Sequence, residues 1–162
     1  MKRNILTLII AVFALTQAAA QTYDNLWKQA DIIARKDQPK SEIGVMKKII
    51  SKASAAKDYG QLMAAEMRQM ILWKEISADS LTPNVERMEA EVLKVKDPAL
   101  KAVRYAVLGK VYSDMDEKKS QEFFKKALEQ PELLAKHTST EYVPLTLKGV
   151  DGSSFNNDLL HL

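Results

Sequence analysis

Apolar residues recur at intervals of three and four along the chain between Thr22 and Ala135, which is the spacing of amphipathic helices. Aliphatic β-branched runs of the kind that form buried strands do not occur in this stretch. The pattern predicts six helices with short connections. They cover Thr22–Lys36, Pro39–Lys57, Tyr59–Ile76, Pro83–Lys96, Pro98–Met115 and Lys118–Gln130.

Proline and small polar residues indicate where these helices begin. Proline suits the first helical position because its ring fixes φ and the N–H it lacks would be unpaired there anyway. Three predicted helices begin in this way, at Pro39, Pro83 and Pro98. Thr82 and Asp97 precede two of these prolines and are the expected N-caps, and Thr22 has the same role at the first helix.

The helices pair into three predicted hairpins that start near Thr22, Asp58 and Pro98. Starts spaced by 36 and 40 residues indicate a helical-repeat solenoid. The third hairpin matches the tetratricopeptide pattern W-x2-L-G-x2-Y followed by A-x3-F-x2-A, with a connection one residue shorter. The matching residues are Tyr105, Leu108, Gly109 and Tyr112, then Ser120, Phe124, Ala127 and Pro131. The expected fold is therefore all-α, with antiparallel hairpins in a tetratricopeptide-like solenoid.

Packing gives this motif its physical meaning. A residue as small as Gly109 lets the second helix of the hairpin approach the first, and the rings of Tyr105, Tyr112 and Phe124 are expected to fill the space between hairpins. The earlier hairpins fit by period and polarity, and their repeat register stays open. In the second, Leu62, Met63, Met70 and Ile71 are expected to face Val85, Met88, Val92 and Val95. In the first, the stripe Tyr23, Leu26, Trp27, Ala30 and Ile33 is expected to face Ile43, Met46, Ile49, Ile50 and Ala53.

The composition changes beyond Gln130. Pro131–His137 predicts one more helical turn, and alternation from Tyr142 to Leu147 predicts an extended segment. Pro144 makes this an edge strand or no strand at all. The closing leucines, Leu159, Leu160 and Leu162, begin an apolar pattern that we expect to continue in a longer protein. The predicted organisation is residues 1–20 as a signal peptide, 21–135 as the helical domain, and 136–162 as a linker with the truncated start of a following segment.

The signal peptide follows from the first twenty residues. Lys2 and Arg3 precede an apolar run from Ile5 to Leu15, and small residues reach Ala20. A transmembrane anchor is the alternative, but the run is shorter than the roughly 18 residues that a spanning helix needs. We therefore expect cleavage after Ala20 and a periplasmic or secreted protein, with no membrane contact after cleavage.

Charge and cysteine content narrow the function classes. Loss of Lys2 and Arg3 with the leader lowers the formal net charge from +3 to +1, so there is no basic footprint for nucleic acid. The chain has no cysteine, which excludes disulfides and the lipidated cysteine of a bacterial lipoprotein.

Candidate chemistry is sparse. His137 and His161 lack partners at metal-ligand spacing. Asp114, Asp116 and Glu117 lack the glycine and distal glutamate of a calcium loop and are expected to form a helix-to-helix turn. Ser153 and Ser154 lack the context of a nucleophile elbow. Two readings stay open for Met63, Met67 and Met70, as core or as a partner groove. We expect no catalytic, cofactor-binding or metal residues, no cofactor, and no enzyme activity.

Three stretches carry a family resemblance: QTYDNLWKQADIIARKDQPKSEIGVMKKIISKA, AVLGKVY and FNNDLLHL. Together they resemble the N-terminal region of very large bacterial alpha-2-macroglobulin family proteins. The resemblance implies a helical region followed by β-sandwich domains, including MG2, in an envelope protein that inhibits peptidases, in many members through a Cys–Gln thioester. No functional residue carries over, because the chain has neither cysteine nor thioester motif. The resemblance thus implies a scaffold whose partners are downstream domains or another protein. A free-standing tetratricopeptide-like adaptor of the periplasm is the alternative.

Overall fold

A computed structural model describes residues 22–145 and 158–160. The predicted signal peptide, Leu147, the Ser153–Ser154 pair, His161 and Leu162 lie outside the described residues. Within them the chain forms seven α-helices and no strand, which confirms the all-α class. The helices are α1 (Tyr23–Ala34), α2 (Pro39–Ala56), α3 (Tyr59–Ile76), α4 (Ala78–Val92), α5 (Pro98–Tyr112), α6 (Glu117–Ala127) and α7 (Pro131–Leu134), and a 3-10 helix follows at Ser139–Tyr142.

Each helix from α1 to α5 packs against the next one in the chain, as expected for successive helical hairpins. In addition, α3 touches α5 directly, so the first helices of the second and third hairpins are neighbours. This arrangement follows from amphipathic stripes that each need a partner to remove them from water.

Local cap chemistry begins the helices largely where the sequence predicts. The Thr22 hydroxyl accepts a hydrogen bond from the Asn25 amide at 3.3 Å, and the Asp97 carboxylate accepts one from the Leu100 amide at 2.9 Å. Pro39 and Pro98 stand in the first turns of α2 and α5. These caps satisfy N–H groups that a helix leaves unpaired at its start.

The predicted start of the fourth helix is wrong. Helix α4 begins at Ala78, with the Ser77 hydroxyl accepting from the Asp79 amide at 3.2 Å, so Thr82 is not an N-cap and Pro83 lies inside the helix. Proline inside a helix removes one backbone hydrogen bond. That loss is outweighed because the extra turn places Leu81 in the core.

Two clusters form the hydrophobic core. The first joins α1, α2 and α3 and contains Leu26, Ala30, Ile43, Val45, Met46, Ile49, Ala65 and Leu72. The second joins α3 to α6 and the 3-10 helix, with Met63, Met70, Val85, Met88, Leu108 and Tyr112 among its members. The predicted stripes of both hairpins are confirmed in most positions, but Ile71 is exposed rather than turned toward α4.

The tetratricopeptide motif packs as expected at Gly109 and differently at the aromatic position. A Cβ on Gly109 would lie 2.8 Å from Cδ1 of Phe124, so a larger residue there would have to displace this ring. The buried ring, however, belongs to Phe123 (8% exposed) and not to Phe124 (39% exposed). Phe123 stacks on Tyr105 and Tyr112 with centroids 6.0 and 5.5 Å apart. The space-filling role predicted for Phe124 is therefore taken by its neighbour.

The chain after α6 returns to the second hairpin. Helix α7 supplies the predicted extra turn, but the extended segment expected from Tyr142 is wrong as far as Leu145, where the described part stops. Glu141 instead accepts from the Thr138 amide at 2.8 Å, which favours a 3-10 turn over a strand. Tyr142 is buried against Tyr59 at the start of α3. The return segment (residues 131–145) thereby packs back on α3.

Candidate functional site

The return segment and the third hairpin enclose an apolar concavity of about 600 Å³. We call it the α5 groove, because α5 forms its floor. Its other walls come from Met67 of α3, the outer face of α6, and the return segment. The lining residues are Met67, Ala102, Val103, Ala106, Val107, Lys110, Phe124, Ala127, Leu128, Leu134, Tyr142, Leu145, Leu159 and Leu160.

The sequence of α5 explains why a concavity forms here. Leu108 and Tyr112 bury one side of the helix in the second core cluster. The opposite side carries the small side chains of Ala102 and Ala106, which leave space above the helix. Helix α5 is thus apolar on two faces, which is typical of a helix that packs on both sides.

The apolar surface continues past Met67 and Lys110 into a shallower depression of about 270 Å³ between α3 and α5. Ile71 and Met115 line it and are exposed. With Phe124 and Leu128 in the α5 groove, four large apolar side chains lie open to solvent on one side of the array. Contiguous exposed apolar surface of this kind marks interaction sites in soluble proteins.

The charged side chains that line this surface are Lys74, Lys110 and Asp114. Lys110 separates the two concavities and is exposed. Lys74 donates to the Asp114 carboxylate at 3.1 Å. That hydrogen bond, with a smaller contribution from Lys110, lowers the pKa of Asp114. The Asp114 carboxylate therefore stays ionised at neutral pH beside the apolar floor.

A short segment near the end of the chain occupies part of the α5 groove. The Leu159 amide donates to the His137 carbonyl at 3.0 Å, and Thr138 and Asp158 form an antiparallel bridge. The Leu160 amide then donates to the Asp158 carboxylate at 3.0 Å, which bends the backbone so that both leucines line the groove. Leu159 also packs on the second core cluster.

A buried ion pair lies between α3 and α5. Arg104 Nη2 and Glu66 Oε1 are 2.8 Å apart, and Glu91 of α4 approaches the same guanidinium at 3.9 Å. Burial raises the pKa of Glu66, against the lowering influence of Arg104. The Arg104 guanidinium thus faces carboxylates from two other helices, and the cluster ties α3, α4 and α5 together.

A second polar cluster joins α4 to the end of the third hairpin's first helix. The Tyr112 hydroxyl donates to Glu89, and the Lys119 ammonium contacts Glu89 at 3.3 Å and the Tyr112 oxygen at 3.1 Å. Burial and the bond to Glu89 raise the pKa of Tyr112. Neither this cluster nor the Glu66–Arg104 pair is predicted by the sequence. The one indication of these two clusters in the sequence is that charged residues interrupt otherwise apolar helical stripes.

The candidate residues from the sequence, namely His137, the acidic turn and the three methionines, lie in separate parts of the structure. His137 contacts Glu141 at 2.7 Å, and this bond lowers the pKa of Glu141. Asp116 caps α6 by accepting from the Lys119 amide, as its predicted turn position requires. Met63 and Met70 are core residues, which confirms the core reading for these two, whereas Met67 lines the α5 groove.

Within residues 22–145 and 158–160, no group of three or more His, Cys, Asp or Glu side chains is placed to hold a metal ion. Among the same residues, no helix combines the length and apolar character needed to cross a bilayer. Comparison with protein-family models, curated proteins and solved structures finds no match to this chain.

Proposed function

We propose that this chain is a non-catalytic helical scaffold of the cell envelope whose α5 groove docks polypeptide. The observation that carries the proposal is the run of solvent-exposed apolar side chains along α3, α5 and α6, bounded by lysines. Its concavity lies in the volume range of about 300–1,000 Å³ typical of binding sites. A rigid array of hairpins holds this surface in a fixed shape, as binding without a large ordering cost requires.

The sequence resemblance favours one setting for the scaffold. It supports a place at the N-terminus of a macroglobulin-like peptidase inhibitor, where the groove would hold a downstream domain of the same polypeptide. The alternative is a free-standing periplasmic adaptor that holds a separate protein. Both use the same surface, so the partner's identity distinguishes them.

Site-specific photocrosslinking in the producing organism tests this proposal. A photoreactive phenylalanine analogue replaces Leu128, which is 53% exposed in the groove, and in a matched strain Leu93, which is 69% exposed and outside it. We expect a strong crosslink from position 128 and little from position 93. Mass spectrometry then identifies the attached polypeptide, with immunoblotting of envelope fractions to locate it.

Three results would decide between the alternatives. A crosslink within one polypeptide several-fold longer than 162 residues, with macroglobulin domains, supports the inhibitor scaffold. A crosslink to a separate envelope protein supports the adaptor. Equal crosslinking from the two positions, or none from position 128, contradicts the docking function.

A further inference from the structure

We propose that the α5 groove recognises a short Asp-Leu-Leu segment that bends after the aspartate, and that Asp158–Leu160 are its resident occupant, which an incoming segment must displace. This inference rests on the proposed docking function and goes further by naming the chemistry of the docked segment. The chain already places such a segment in the groove.

Backbone pairing gives the segment its direction and position. The Leu159 amide donates to the His137 carbonyl, and Asp158 bridges Thr138 in antiparallel sense. Pairing of this kind is independent of side chains, so another segment with a free backbone can make it equally well. The anchoring carbonyl belongs to the return segment, which packs on α3 through the buried Tyr142.

Side chains give the specificity. The Asp158 carboxylate accepts from the Leu160 amide, and this two-residue bend is what an aspartate side chain favours in turns. Because of the bend, two consecutive leucines both reach the apolar floor instead of pointing in opposite directions, as they would in a regular strand. An aspartate followed by two leucines is thus the pattern that fits.

The resident segment is seated incompletely. Leu159 and Leu160 are only partly buried, and a concavity of about 600 Å³ remains beside them. A longer segment with a further apolar residue would cover more of Val103, Ala106 and Leu128 than the resident does. Such a segment can therefore displace the resident one if its extra contacts exceed the advantage that the resident segment has from being part of the same chain.

The covalent link between the resident segment and the rest of the chain determines how strongly it competes with a free segment for the groove. The sequence places residues 146–157 between the return segment and Asp158, and a short tether gives an effective concentration on the order of millimolar. For a free segment with a Kd near 100 µM, competition by the resident should weaken apparent binding by roughly tenfold.

The experiment measures fluorescence anisotropy of a labelled synthetic peptide, FNNDLLHL, titrated with the purified chain from Gln21 onward. The parent chain is compared with a chain carrying Leu159→Asp and Leu160→Asp, which releases the resident segment. We expect the released chain to bind the peptide about tenfold more tightly than the parent. A peptide with both leucines replaced by aspartate should not bind either chain.

Groove variants in the released background locate the binding site. Ala106→Trp fills the groove and should abolish binding, whereas Leu93→Trp adds the same ring on exposed surface elsewhere and should leave it unchanged. Ala106→Glu provides a second blocking variant if circular dichroism shows that the tryptophan variant is misfolded. Absence of peptide binding by the folded, released chain up to millimolar concentration would overturn the inference, as would undiminished binding by a folded groove variant.

The mass of the parent chain in solution, measured by light scattering, shows whether the resident segment comes from the same chain or from a second copy. A monomer supports occupation in cis. A dimer that the two aspartate substitutions dissociate would overturn that assignment, because the segment would then come from a second copy. A crosslink from position 128 together with no peptide affinity would contradict this inference but still support the scaffold function. Peptide affinity with no crosslink in the cell would support this inference and contradict the scaffold function.

Discussion

Arg104 and Glu66 have the lowest combined side-chain exposure of any ion pair in the described part of the chain, at 8% and 10%. The informative perturbation is Arg104→Met, which keeps most of the volume and removes the charge that neutralises Glu66. Leaving one partner of a buried pair uncompensated typically costs about 3–5 kcal/mol of unfolding free energy. At a urea slope near 2 kcal/mol per M, the denaturation midpoint should fall by roughly 1.5–2.5 M.

The double variant with Glu66→Met should recover most of this loss. Glu66 Oε2 and Arg104 Nε have no hydrogen-bond partner among the described protein atoms, so the native pair is imperfectly satisfied. Apolar replacement of such pairs is often neutral or stabilising by about 1–4 kcal/mol. The two single effects should therefore be strongly non-additive in a double-mutant cycle.

The dependence on pH gives an independent check. Burial raises the folded-state pKa of Glu66 above its ordinary value of 4.5. At any pH between the unfolded-state pKa and the folded-state pKa, the folded protein therefore binds the Glu66 proton more tightly than the unfolded chain does. Stability from this group is therefore greatest at low pH and falls as pH rises through that window. In Arg104→Met the lowering influence of the guanidinium is lost, so the deficit against the parent should be smaller at pH 5 than at pH 8.

Urea unfolding followed by circular dichroism at both pH values measures these effects. The control is Lys74→Met, which breaks the solvated pair with Asp114 and should leave the midpoint unchanged. The reasoning fails if Arg104→Met lies within about 0.5 kcal/mol of the parent, the range of an ordinary surface substitution. It also fails if the double variant loses the sum of the two single effects.

Glycine substitutions test the close approaches of the fold. Gly60→Ala should destabilise the chain by about 1–3 kcal/mol, because its Cβ would overlap the Val143 carbonyl, and it should speed hydrogen exchange in the return segment. Gly44→Ala, with nothing near its Cβ, should instead stabilise by about 0.5–1 kcal/mol; equal effects in thermal melts would refute both. Gly109→Leu should destabilise by about 1–3 kcal/mol by displacing the Phe124 ring, and coinciding melts of variant and parent would refute the hairpin packing.

Local information in the sequence determined the helices and most of their starts. The bond from the Asn25 amide to Thr22, and the one from Leu100 to Asp97, span three residues, so the cap residues suffice to predict them. The need for a small residue at position 109 could also be predicted, because the tetratricopeptide spacing fixes which residue faces the second helix. These features depend on neighbours in the chain and not on how the hairpins are arranged.

Tertiary structure decided the features that depend on distant partners. Pro83 stays inside α4 because Leu81 gains a place in a core that other helices build. Whether Phe123 or Phe124 is buried depends on the roll of α6 against Tyr105 and Tyr112, which a shift of one residue reverses.

The α5 groove belongs to this second group. Its floor comes from α5, and its wall comes from a return segment in which the alternating pattern suggested an extended chain. That segment forms a 3-10 turn because burial of Tyr142 on Tyr59, more than 80 residues earlier, outweighs a strand preference that spans only about 1 kcal/mol and depends on context. Contacts between segments so far apart in sequence leave no periodic signal, so the site that carries the proposed function emerges only when the hairpins are assembled.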